Sequence, residues 1–136
     1  MTFERVLRRE CYIFGLALFK RELLETVGFY DEELGASEDF DLWLRMLRHG
    51  CRFGFTREPL VKYRWRADSL SNNSDKLLNN LSKVYHKWLR DPAITVEQRA
   101  LIEAQLRDAD AMLNWSLYRA KLKSGDYQEA AQHLAI

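Results

Sequence analysis

Six carboxylates crowd into residues 31–41: Asp31, Glu32, Glu33, Glu38, Asp39 and Asp41. The last three open a stretch, "EDFDLWLRMLRHG", whose remaining letters are mostly Leu, Trp and Met. Acids at a helix start satisfy free N–H groups and the helix dipole, worth roughly 0.3–1 kcal/mol each. One acid meets that need, so the surplus negative charge calls for a partner. Asp41 has one at i+4, Arg45. Glu38 and Asp39 have no local cation, which leaves them to cap the helix or to meet a substrate hydroxyl or a metal. A carboxylate fixed on a rigid helix beside an acceptor hydroxyl can act as a general base. A second set of charges lies in "LVKYRWR", where Lys62, Arg64 and Arg66 alternate with Val61, Tyr63 and Trp65. Three cations on one strand face either deter edge aggregation or receive an anion such as phosphate. His49, His86 and His133 are scattered and suit surface or helix-end positions.

The chain that must position these groups has 136 residues, enough for one domain with a core. Its 47% hydrophobic and 30% charged residues argue for folding rather than disorder. A net charge of +1 gives no global field for nucleic acid, so no nucleic-acid partner is expected. Cys11 and Cys51 stand apart in no metal-ligand spacing. The longest apolar run, "CYIFGLALF", is too short to span a bilayer, and the reading is a soluble, cytoplasmic protein.

Composition divides the chain near residue 73. Residues 12–19 suit a buried strand, and "KRELLETVG" a short helix stopped by Gly28. After an acidic loop, Phe40, Trp43, Leu44 and Leu47 recur at helical spacing until Gly50. Phe53 and Phe55 then alternate with polar residues, and beyond Pro59 a second alternating run makes the other arm of a short hairpin. The second part reads as helices. Leu77, Leu78, Leu81, Val84, Tyr85, Trp88 and Leu89 form the stripe of a helix over about 74–90. Its basic face would suit a membrane surface, but Asn79, Asn80 and Ser82 dilute that face, and packing on the domain is expected. Thr95 and Gln98 form a capping box for a long helix to about 123, with Ile102, Leu106, Ala109, Leu113, Leu117 and Ala120 as its seam. A last helix follows Gly125.

Three stretches in order, "LFKRELLETVGFYDEEL", "ASEDFDLWLRMLRHGCRFGF" and "EPLVKYRWRADSLS", resemble the carboxy-terminal half of the catalytic domain of inverting, GT-A-fold glycosyltransferases of family 2. The resemblance covers about residues 10–72. It implies an α/β fold: a partial GT-A (nucleotide-diphospho-sugar transferase) fold over 1–73, the acceptor-side half with a short β-hairpin, followed by an all-helical extension over 74–136. It also implies a hexosyltransferase-type reaction, in which a sugar passes with inversion from a nucleotide-sugar donor to a hydroxyl of a saccharide-type acceptor. Asp39 matches the family's catalytic base and Glu38 its neighbour in the motif. Asp41 and Arg45 match supporting positions, while Tyr63 and Arg64 match a Tyr-Arg pair near the donor diphosphate. Arg66 stands where many members carry a metal-binding histidine. Mn²⁺ or Mg²⁺ would serve the complete enzyme, and no metal or other cofactor is expected in this chain. The donor-binding half and its Asp-x-Asp motif have no counterpart here, so the chain alone is expected to be inactive.

Two other readings remain open: a non-catalytic interaction module, and an anion-binding domain built on Lys62, Arg64 and Arg66. An uncovered sheet edge or apolar patch would favour self-association. The tail "LNWSLYRAKLKSGDYQEAAQHL" resembles the middle of a tetratricopeptide repeat in its Gly125, Tyr127 and Ala130 spacing, against an ordinary helical hairpin.

Overall fold

The structure is a computed structural model that describes residues 1–66 and 68–134; Ala67, Ala135 and Ile136 lie outside the described residues. The elements in order are α1 (Phe3–Leu7), α2 (Glu22–Val27), α3 (Glu38–Arg48), a 3-10 turn (Leu70–Asn72), α4 (Ser74–Leu89), α5 (Val96–Ser124) and α6 (Tyr127–Gln132). α4 and α5 carry side-chain caps at their starts, and α5 carries local signals at both ends. At α5 the Thr95 hydroxyl accepts from the Gln98 N–H at 3.2 Å while the Gln98 side chain accepts from the Thr95 N–H at 3.3 Å, the reciprocal box expected. Gly50 and Gly125, at φ 88° and 81°, take the left-handed position that closes α3 and α5.

α3 is the central element and is buried on two sides. One side gives Leu44 to a core of Phe3, Val6 and Leu7 from α1, Leu81, Val84, Tyr85 and Trp88 from α4, and Ile102 and Ala109 from α5. The other gives Leu42, Trp43 and Met46 to a second cluster with Ile13, Phe19, Leu23, Leu24, Val27 and Phe53. Trp43 meets Phe19 and Phe53 edge-on, at 5.5 and 5.9 Å between ring centroids. The single apolar stripe read from the sequence therefore undercounts the buried surface of this helix. α4 lays its expected stripe, Leu77 apart, against this core and α5, with Leu81, Val84, Tyr85 and Trp88 buried. The seam of α5 is buried at Ile102 and Ala109 and thins beyond them, leaving Ala120 exposed, where only α6 folds back on it. No helix among the described residues is long and apolar enough to cross a membrane.

The expected α/β class is overturned, and with it the GT-A half and its β-hairpin: among the described residues there is no strand. Residues 12–19 and 53–66 carry strand patterning but have no ladder. Between the Cys51 N–H bond to Met46 and the Ser69 N–H bond to Arg66, no backbone N–H of the run bonds to another backbone group among the described residues. A strand exists only through hydrogen bonds to a neighbour, so alternation without a neighbour gives an extended coil. Phe14 does meet Tyr63 edge-on at 5.8 Å, but the two backbones share no hydrogen bond. α1 has no counterpart in the sequence reading; it is five residues long and is held by Phe3, Val6 and Leu7 in the core and by a bond from Gln98 Nε2 to Glu4 Oε1 at 2.9 Å.

Candidate functional site

Asp39 stands in the first turn of α3 at the wall of a cavity of about 360 Å³ between the end of α1, residues 11–13 and the start of α4. The cavity is mostly apolar, walled by Ile13, Phe40, Trp43, Leu77, Leu78 and Leu81, with Arg9, Tyr12, Ser37 and Ser74 as its other polar groups. Asp39 Oδ1 accepts the Phe40 N–H at 2.7 Å. No hydrogen bond from another of the described residues reaches Oδ2, which lies 3.1 Å from where a Cβ on Gly15 would sit. Glycine at 15 lets the backbone come this close to the carboxylate. Burial pushes the Asp39 carboxyl above its ordinary value, the Phe40 N–H works against that, and the Glu38 charge adds to it. Trp43, also in the wall, keeps its Nε1 buried without a hydrogen-bond partner among the described residues.

Two residues with side chains sit in the left-handed region, Arg9 at φ 58° and Ser37 at φ 61°, and both line this cavity. Such strain persists only where the surroundings enforce it, and it gathers at binding sites. Ser37 precedes α3 without a capping bond from its side chain. The sequence reading missed both residues. For Arg9 the available signal was a short apolar amphipathic run, "FERVL", ended by charged residues.

The other expected residues lie elsewhere. Glu38 is half-buried and is not in the cavity wall. Asp41 is fully buried on the opposite side of the first turn of α3, with every contact supplied by the protein. Its Oδ1 accepts from Trp88 Nε1 at 3.2 Å, and its Oδ2 from Arg45 Nε and Lys87 Nζ, both at 2.9 Å. Arg45 goes on to donate to the carbonyls of Val27, Gly28 and Phe29 at 2.6, 2.9 and 2.8 Å, so it closes the C-terminus of α2 onto α3. Lys87 also reaches Asp31 at 2.6 Å. Burial lowers the Lys87 ammonium, but its bonds to Asp31 and Asp41 outweigh that and hold it above its ordinary value, while the same contact holds Asp31 below its own.

Tyr63, Arg64 and Arg66 are exposed and outside the cavity wall. The Tyr63 hydroxyl shares a hydrogen bond with Ser71 Oγ at 2.9 Å. Arg66 forks onto Asp68 at 3.0 and 2.6 Å. Tyr63 is nonetheless a neighbour of the site through Phe14, the residue before Gly15. Among the described residues no three His, Cys, Asp or Glu side chains gather as a metal-ligand set, so no step here is derived through Mn²⁺ or Mg²⁺. Cys11 and Cys51 are free thiols.

No family model, curated protein or solved structure matches the chain. With no match and an all-helical set of elements, the resemblance to GT-A-fold glycosyltransferases of family 2 does not stand.

Proposed function

We propose that the cavity beside Asp39 holds a small molecule through an apolar body and a hydroxyl, and that Asp39 takes the proton of that hydroxyl. The observation that carries this reading is a half-buried carboxylate with one oxygen unpaired, raised in pKa, in the wall of an apolar cavity. An apolar cleft with a few convergent polar groups is the ordinary form of a small-molecule site. A base whose pKa has moved up toward neutrality is the better matched to proton transfer, worth ~10²–10⁴-fold. Once deprotonated, the hydroxyl oxygen becomes a nucleophile for an activated carbon. A saccharide-type acceptor attacking the anomeric carbon of a nucleotide-activated sugar, with the nucleotide diphosphate leaving as the new C–O bond forms, is one such reaction, in which Asp39 would be the base.

Calorimetric titration with mono- and disaccharides tests the reading on the chain and on Asp39→Asn. Saturable binding that the substitution weakens supports it. Binding that Asp39→Asn leaves unchanged, or none at millimolar concentration, refutes it.

A second reading, a non-catalytic interaction module, draws support from the apolar side chains that the unpaired segments expose. Leu18 is 100%, Phe55 85% and Trp65 71% exposed. Patches of this kind mark contact surfaces. Light scattering over a concentration series would detect self-association through them, and a strict monomer would count against it.

A further inference from the structure

α1, α3 and α5 all end in the same device. In each, a residue at or just past the C-cap turns left-handed, its N–H bonding three residues back and the next N–H five back. In α3 these are Gly50 to Leu47 and Cys51 to Met46, both at 3.0 Å; in α5 they are Gly125 to Leu122 at 3.2 Å and Asp126 to Lys121 at 3.0 Å. In α1 they are Arg9 to Val6 at 2.9 Å and Glu10 to Arg5 at 3.0 Å. Two of the three endings use glycine, for which the left-handed region carries no Cβ penalty, and the third uses an arginine at φ 58°.

Arg9 is also the cation in this corner that has not been spent. Arg5 and Arg8 both pair with Glu10, at 3.4 and 3.6 Å, whereas Arg9 has no hydrogen bond or ion pair among the described residues and lies over the Tyr12 ring, 5.7 Å from its centroid. It borders the Asp39 cavity and an adjoining one of about 330 Å³, in whose wall Asp108 is the acid, with which Arg9 makes no ion pair. The strained position thus holds a free guanidinium at the edge of a site whose other charge is Asp39.

We infer that the ligand of the cavity carries an anionic group, a carboxylate or a phosphate, which Arg9 receives while a hydroxyl of the same molecule meets Asp39. The ligand class is a hydroxylated acid or hydroxylated phosphate, such as a sugar acid or a sugar phosphate. This rests on the reading of the cavity as a small-molecule site. A planar guanidinium suits either anion by a forked pair of bonds.

The test is calorimetric titration of the chain with glucose, glucuronate and glucose 6-phosphate, repeated on Arg9→Gly. Glycine suits the left-handed position, so this variant keeps its fold, checked by a thermal midpoint at or above that of the unaltered chain. The expected result is that at least one anionic sugar binds tenfold or more tightly than glucose. Raising the salt should shrink that preference, and Arg9→Gly should abolish it. Whichever of glucuronate and glucose 6-phosphate binds more tightly identifies the anion. Equal binding of all three, or a preference that survives in Arg9→Gly, overturns the inference and leaves the cavity reading intact. Binding of none of the three overturns both.

Discussion

Asp39 and Asp41 stand two residues apart on the same helix turn, and replacing each should have opposite consequences. Asp41→Ala removes a carboxylate that is 0% exposed and accepts three hydrogen bonds. Breaking a buried ion pair by deleting one partner costs about 3–5 kcal/mol, because the partner charge is left uncompensated. The surroundings here favour the lower end. Lys87 keeps Asp31 and its side chain is 41% exposed, so water takes over part of the lost contact. Arg45 keeps its three carbonyls, although its side chain is only 18% exposed. Trp88 is 5% exposed and its N–H is left with nothing, at about 1–3 kcal/mol. A loss of about 3 kcal/mol follows, a large share of the roughly 5–15 kcal/mol that a domain has. Asp41→Asn keeps the shape and one acceptor but turns a donor toward Arg45 or Trp88, and should cost about 2 kcal/mol. Urea unfolding followed by circular dichroism measures both. A midpoint shift equivalent to less than 1 kcal/mol for Asp41→Ala would refute the claim that this acid holds α2, α3 and α4 together.

Asp39→Asn should be neutral or stabilising at pH 7. The folded pKa lies above the unfolded value of 3.8, so the native state binds more protons between the two; stability from this group rises as pH falls through that window, and the advantage of Asn shrinks with it. Thermal midpoints of both chains from pH 3 to 7 check the sign, and an Asn variant clearly less stable at pH 7 contradicts it. Asp31→Asn should cost about 0.5–1 kcal/mol at pH 7, discounted because Lys87 is partly exposed. Asp31 has a lowered folded pKa, so that cost is present above 3.8 and disappears as pH falls through the folded value, which the same pH series reads. Gly15→Ala places a methyl 3.1 Å from Asp39 Oδ2 and should weaken saccharide binding several-fold with little change in melting temperature. Arg9→Gly should stabilise the fold by about 1 kcal/mol, roughly 3 °C in thermal midpoint, by relieving the left-handed strain.

What the sequence disclosed depended on how local each signal is. The capping box at Thr95, the pair Asp41–Arg45 and the stripe of α4 are set by residues within one or two helical turns, and all three form. The strands are a different kind of statement. Alternation at residues 53–66 says that a strand would have two unlike faces; it says nothing about whether another strand lies alongside, and the hydrogen bonds that make a strand belong to that neighbour. The ordered motifs around it encouraged an α/β reading because motifs report spacing along the chain, and spacing is compatible with more than one partner arrangement.

The same limit governs the acids. Sequence alone gives Asp41 a partner at i+4 and leaves Asp39 without one. The partners that decide the matter come from far along the chain: Trp88 and Lys87 from α4 close on Asp41, and Gly15 and the cavity face Asp39. Helical geometry turns successive residues by about 100°, so Asp41 is carried roughly 200° around the axis from Asp39, enough to send one carboxylate into the core and leave the other at its edge. The crowd of negative charge at residues 31–41 is thereby divided. Asp31 and Asp41 are neutralised by Lys87 and Arg45, which removes them as competitors for a ligand cation or proton. Asp39 instead has no ion pair among the described residues, and it shares the wall of its cavity with Arg9, which follows the end of α1.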